Sequence, residues 1–284
     1  MRATTILVTV LRNCYVSDGC MIAACCDCAD GCVIAATDAR SLHGVIAPTV
    51  ARADFSALPR RTRFAMPYKA AVFDLDGTLL NTIVDLAWAT NYALQQYDMP
   101  TYTVDEIKHL VGNGVAKLIH DAVPEGTPDE LCRKVLATFK EHYADHSLDT
   151  TAPYPGVVDA IDRLRASGVK CAVVSNKPDF AIADLMNHFF FGKFDFALGQ
   201  RDNLKRKPDA EPVHFALQQI DVAPEDAVYI GDSEVDIATA RNSDMPCISV
   251  TWGFRDKEVL LAAGATTLVD TADEMVDAIL LPEK

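Results

Sequence analysis

From Ala70 onward, uninterrupted apolar runs alternate with helix-period stretches. Ala70–Phe73 is apolar throughout, which predicts a short strand covered on both faces. Similar runs at 169–174, 194–198, 227–230, 247–250 and 267–269 predict further strands. Between them the helical period appears at 157–167, closed by Gly168, and again at 178–190, 211–220, 235–242, 257–263 and 272–280. Repeated strand–helix units imply a parallel sheet covered on both faces by right-handed crossovers. One stretch breaks this order. Residues 82–152 carry helical patterns only, at 83–96, 104–111, 115–123 and, just after Pro128, 129–146. The alternation resumes at Pro153-Tyr154-Pro155-Gly156. The expected fold class is therefore α/β: a Rossmann-like parallel sheet with helices on both faces, residues 66–81 and 153–284. A small all-helical cap, residues 82–152, is inserted after the first strand.

Composition divides the chain differently. Residues 1–66 hold seven Arg and five Asp, with no Lys and no Glu, a balance of +2 in a chain of −14; the remainder carries −14 − 2 = −16. Six of the nine Cys also lie there: Cys14, Cys20, Cys25, Cys26, Cys28 and Cys32. Arg2 ahead of the apolar run Ile6–Leu11 has the form of a signal peptide, but Arg12-Asn13 cuts it short and no clean cleavage site follows. Asp18, Asp27, Asp30 and Asp38 argue against an organellar transit peptide. The cysteines lack paired Cys-x-x-Cys spacing and a nearby His, which leaves metal binding there open. Residues 1–65 are expected to be an unstructured, Cys-rich extension. Cys132, Cys171 and Cys247 fall in apolar contexts and read as reduced core residues of a cytoplasmic protein. The acidic chain disfavours nucleic acid as a partner, and no apolar run reaches the ~18 residues of a membrane span. Monomer and dimer are both compatible with the sequence.

The chemistry sits where the strands end. Ala70–Phe73 runs into Asp74-Leu75-Asp76-Gly77-Thr78, and packing alone does not put two carboxylates at the end of a buried strand. A calcium loop of the EF-hand type also begins Asp-x-Asp, but it needs a preceding helix and Gly at its sixth position. The second strand ends in Ser175-Asn176-Lys177, and a later one in Gly231-Asp232-Ser233 with Asp236 following. Lys205-Arg206-Lys207-Pro208 is a cationic cluster in an acidic protein. Ligands of open α/β sheets bind at the carboxyl ends of the strands. Carboxylates gathered there call for a hard cation, and Mg²⁺ takes a few carboxylates, waters and a phosphate. Ser175 and Lys207 suit phosphoryl oxygens. In the cap, Gly112-Asn113-Gly114 is either a loop whose backbone N–H groups cradle an anion or a plain helix–helix connector. His142 and His146, one helical turn apart, read as a solvated face rather than a metal site.

In order, Asp74-x-Asp76-Gly-Thr78, Ser175, Lys207-Pro208 and Gly231-Asp232-x-x-x-Asp236 resemble the motifs of the haloacid dehalogenase (HAD) superfamily. The resemblance runs from about residue 67 to the C-terminus. Within that superfamily, Pro153–Gly156, Val173–Asp179 and Val250–Arg255 look most like the phosphoglycolate phosphatases. Ala210 and Asp244 depart from the pattern at positions away from the chemistry. The resemblance implies a Mg²⁺-dependent phosphatase of small phosphomonoesters, phosphoglycolate first, with a phosphatase or mutase of sugar phosphates as the alternative. It implies Asp74 as nucleophile and Asp76 as general acid and base. Mg²⁺ would be held by Asp74, the Asp76 backbone carbonyl and Asp232. Ser175 and Lys207 would bind the transferring oxygens, with Asn176, Thr78, Gly112, Asn113 and Gly114 at the substrate and Asp236 in support.

Overall fold

The computed structural model describes residues 14–17, 20–23, 35–37 and 68–281. In the N-terminal extension three short strands, β1 (Cys14–Ser17), β2 (Cys20–Ala23) and β3 (Ala35–Thr37), pair antiparallel in the order β1-β2-β3. The remainder of residues 1–65, and with it the expectation of an unstructured extension, lies outside the described residues.

The second unit contains a six-stranded parallel sheet. Its strands are β4 (Ala70–Phe73), β7 (Lys170–Pro178), β8 (Phe196–Gln200), β9 (Ala227–Gly231), β10 (Cys247–Val250) and β11 (Thr267–Val269), arranged β11-β10-β9-β4-β7-β8. The first strand of the sheet is thus central, with β7 on one side and β9 on the other. The chain builds outward from β4 through β7 to β8, then returns to β9. That return is the switch point at which such sheets open a crevice.

Alternation along β4 explains the two-faced core. Ala71 and Phe73 pack with α5 (Val157–Ala166), α6 (Asp179–Phe189) and α10 (Ala272–Leu280). Ala70 and Val72 point the other way, to α7 (Glu211–Gln219) and Ala240 of α8 (Glu234–Asn242). All four residues of β4 are fully buried, as the absence of polar side chains requires. This part also holds α9 (Lys257–Ala262) and a 3₁₀ turn at Pro224–Asp226.

Four helices follow β4: α1 (Ile83–Gln95), α2 (Val104–Leu110), α3 (Val115–Ala122) and α4 (Asp129–His146). They share a hydrophobic cluster of their own, including Leu86, Ile107, Leu118 and Phe139, to which Ala181 and Phe254 of the sheet-bearing part contribute. α2 starts on a capping box, in which Thr103 and Glu106 satisfy each other's backbone N–H groups. The two chain crossings between the helical layer and the sheet pair as short strands, β5 (Leu80–Asn81) with β6 (Ala152–Pro153). Two residues each are too few to leave a period in the sequence. Asp85 ties the same crossings together. It is 1 % exposed and accepts from the backbone N–H and hydroxyl groups of Thr150 and Thr151. Among the described residues no helix is long and apolar enough to cross a membrane.

Candidate active site

The carboxyl ends of β4, β7 and β9 converge. Asp74 leaves β4 in line, its N–H bonded to the Ile230 carbonyl of β9 at 2.9 Å. The residue is 9 % exposed. Oδ1 lies 2.9 Å from Lys207 Nζ, outside hydrogen-bond geometry, and has no other partner among the described residues. A buried carboxylate oxygen that accepts no hydrogen bond points to a ligand. Burial pushes the Asp74 carboxyl up to about 7, with Lys207 pulling against it.

Lys207 is 2 % exposed and donates to the Tyr229 hydroxyl and to Asp236 Oδ1, each at 2.9 Å. Burial would lower its pKa, but the charges of Asp236 and Asp74 outweigh burial and keep it an ammonium. Two of its three hydrogens are committed, and the third lies beside Asp74. Asp236 does more than hold Lys207: it is the N3 partner of Ser233 in the capping box of α8, and its Oδ2 accepts from Ser233 Oγ at 2.6 Å. Gly231 permits this, since a Cβ there would lie 2.2 Å from Asp236 Cβ. Of the cationic cluster only Lys207 enters the site. Lys205 pairs with Asp209, and Arg206 donates to the Asn113 carbonyl.

Asp232 is clamped by Thr78 Oγ1 at 3.0 Å and the Phe254 N–H at 2.7 Å. Burial raises its pKa well above the usual range, and the charges of Asp236 and Asp74 push the same way. Asp74, Asp232 and Asp236 bring one carboxylate oxygen each within 4.8 Å of one another. Three carboxylates so close, two of them driven toward protonation, are relieved by a hard cation, and the oxygen-only donor set suits a divalent one. Asp236 is the least available of the three, because both its oxygens already accept hydrogen bonds.

Two sequence-predicted residues take other partners. Thr78 turns away from the cavity, because Gly77 (φ +89°) reverses the chain there, and its hydroxyl goes to Asp232. Asn176 lines the cavity, yet its amide bridges protein segments: it donates to the carbonyls of Gly112 and Lys207 and accepts from the Lys207 N–H. Ser175 lines the cavity and accepts from the Lys177 N–H at 3.3 Å. Gly112 and Gly114, both at positive φ, form part of the wall contributed by the helical layer, with Val111, Val115 and Leu118. Trp252 donates its indole N–H to the Thr78 carbonyl and supports the turn from outside. His142 and His146 do not line this cavity; the His142 ring stacks on Tyr92 and lies tilted against that of His146.

Asp76 is placed differently from Asp74. Its side chain accepts from Thr82 Oγ1 at 2.8 Å and from Lys177 Nζ at 3.1 and 3.2 Å. Lys177 also donates to the hydroxyl of Tyr143, on α4. Burial would lower the Lys177 pKa, but Asp76 outweighs it, and the group stays charged. Burial pushes the Tyr143 phenol up to about 12, so it remains a neutral hydroxyl. A second bridge runs through Arg255, which donates to the carbonyls of Lys108 and Val111 at the end of α2 while paired with Glu234. These residues belong to no local pattern. The nearest signal was Lys177 directly after Ser175-Asn176, a cation at a buried strand end.

Comparison with known proteins places this geometry in context. The family model described as haloacid dehalogenase-like hydrolase matches residues 71–250. The phosphoglycolate phosphatase of Thiobacillus denitrificans is 33% identical over 196 residues, covering 67% of this chain and 86% of that protein. Phosphoglycolate phosphatase 1 of Pseudomonas aeruginosa is 30% identical over 215 residues, covering 73% and 78%. The crystal structure of a phosphoglycolate phosphatase candidate from Lactobacillus delbrueckii subsp. bulgaricus superposes with a TM-score of 0.73 at 42% identity, covering 76% of this chain and 99% of that one.

Proposed function

The chain belongs to the haloacid dehalogenase-like hydrolase family, among the phosphoglycolate phosphatases, and from that premise we propose that it hydrolyses phosphoglycolate to glycolate and phosphate through Asp74. It is a phosphoric monoester hydrolase. The observation that supports the reading best is the Asp74 carboxylate at the end of β4, buried, with the Lys207 ammonium 2.9 Å from its Oδ1.

Asp74 attacks phosphorus and the alcohol leaves, giving an aspartyl-phosphate. Asp76 gives its proton to the departing oxygen. It then takes one from the water that attacks the phosphorus of the intermediate, so phosphate leaves and both carboxyls return to their starting states. Mg²⁺, held by Asp74, Asp232 and the Asp76 carbonyl, would supply positive charge against the repulsion between an anionic nucleophile and an anionic phosphate. Lys207 fixes the Asp74 carboxylate with its third N–H and sets its positive charge beside the transferring oxygens, and Ser175 offers its hydroxyl to them. Asp236 keeps Lys207 in place. Thr78 keeps Asp232 in place, and Asn176 ties the Lys207 loop to Gly112. The Gly112-Asn113-Gly114 loop and the apolar wall around it exclude water and face the organic part of the substrate.

The test is phosphate release from a panel of phosphomonoesters with and without Mg²⁺. Phosphoglycolate is expected to give the highest kcat/KM, and only with the metal. Equal or higher values on hexose phosphates would overturn the substrate and leave the phosphatase assignment standing.

A further inference from the structure

Lys177 stands where three segments meet. Its side chain is 1 % exposed. The ammonium donates to both oxygens of Asp76, on the loop after β4, and at 2.7 Å to the hydroxyl of Tyr143, on α4. It also lies 4.6 Å from the centre of the Tyr143 ring. Tyr143 is 2 % exposed. An ammonium this deep is held only when its partners are in place, since burying it alone is costly. One partner belongs to the sheet-bearing part and the other to the helical layer. Thr82, at the first crossing between them, is the remaining donor to Asp76. Among the described residues, every donor to the Asp76 side chain is therefore tied, directly or through Lys177, to the seating of the helical layer.

We propose that Lys177 and Tyr143 are positioning residues: Tyr143 sets Lys177 when the helical layer is closed over the sheet, and Lys177 sets the Asp76 carboxylate in reach of the leaving oxygen. The proposal rests on the reading of Asp76 as general acid and base. Proton transfer is thereby confined to the closed state, in which the Gly112 and Arg255 contacts also exclude water. The ammonium stays protonated throughout, so only its position matters. A pair that merely supported the fold would act on every substrate alike and independently of Asp76.

The test is a double-mutant cycle read with two substrates. Phosphoglycolate has a poor alkoxide leaving group, whereas p-nitrophenyl phosphate departs with little help from an acid. The quantity is kcat/KM, which reports steps up to departure of the first product. Asp76→Asn is expected to lower it for phosphoglycolate by about 10²–10⁴-fold and far less for the aryl ester. Tyr143→Phe keeps the ring and should lower it by about tenfold for phosphoglycolate, as loss of one hydrogen bond to a charged group implies, and by under about twofold for the aryl ester. In the Asp76→Asn background Tyr143→Phe should cost nothing further, since the two act as one unit. Lys177→Met should show the same pattern at about 10²-fold; should it not fold, Tyr143→Phe carries the test alone. Equal losses on both substrates, or a full additive loss in the Asp76→Asn background, would overturn the positioning role. A fully active Asp76→Asn would instead overturn the acid–base reading beneath it.

Discussion

Gly253, just beyond β10, is a glycine because Asp232 leaves no room for anything else. A Cβ built there lies 2.2 Å from Asp232 Cβ and 2.4 Å from its Oδ2, where ordinary contact begins at 3.4 Å. Gly253→Ala must therefore open a gap of 3.4 − 2.2 = 1.2 Å. The Cβ of Asp232 is not the free end of a flexible chain, so the end of β9 or the loop after β10 has to give. Either movement disturbs the clamp on Asp232, because the Phe254 N–H that holds Oδ2 at 2.7 Å is the next residue. A misplacement of about 1 Å in a catalytic constellation can cost about 10²-fold in rate. We expect Gly253→Ala to fold, to need a higher Mg²⁺ concentration for half-maximal activity, and to lose about 10²-fold in kcat/KM on phosphoglycolate. The assays are a Mg²⁺ titration of initial rates and a thermal melt on the same sample. Near wild-type rates at the wild-type Mg²⁺ requirement would refute the reasoning. So would an unfolded protein, since the shift would then not be local.

Two further outcomes follow from burial. The Asp74 carboxyl, pushed up to about 7 by burial, favours the folded protein when protonated. Its contribution is therefore fully present below the unfolded carboxylate value and lost as pH rises toward about 7, by at most about 4 kcal/mol. In metal-free protein the stability of wild type relative to Asp74→Asn should fall between about pH 4 and 7 and level off above, and Mg²⁺ should reduce the fall; a rise would contradict the assigned burial. Asp85→Ala leaves the N–H groups of Thr150 and Thr151 without their acceptor at the crossing between helical layer and sheet. Urea unfolding should show a loss of about 3 kcal/mol, and a loss below about 1 kcal/mol would mean the crossings do not depend on it.

Much of the sheet was legible because its strands are buried on both faces and so carry unbroken apolar runs. Ala70–Phe73, Cys247–Val250 and Thr267–Val269 have the bounds their sequences predict. The positions of Asp74, Asp232 and Ser175 were legible for the same reason, since each polar residue marks where a run stops. β7 was predicted to end at Val174 but continues to Pro178, because a register shift there lets polar residues remain in the strand. What stayed hidden is what depends on distant pairing. Tyr143 and Lys177 are 34 residues apart, Lys177 and Asp76 are 101 apart, and neither separation leaves a periodicity. Thr78 and Asn176 were found as polar residues near the strand ends. Which way each turns was settled by Asp232 and by the Lys207 loop.

The central claim is that phosphate passes through Asp74. Asp76→Asn should retain attack on an activated aryl phosphate but hydrolyse the phosphoenzyme slowly, because the proposed mechanism uses the same carboxylate as base in the second step. Rapid mixing of Asp76→Asn with p-nitrophenyl phosphate and Mg²⁺, followed by acid quench and peptide mass analysis, measures this directly. The account predicts the added mass of one phosphoryl group on the peptide containing Asp74, and none in the Asp74→Asn, Asp76→Asn double variant. Release of p-nitrophenol with no phosphorylated peptide, or phosphate found on another residue, would contradict it.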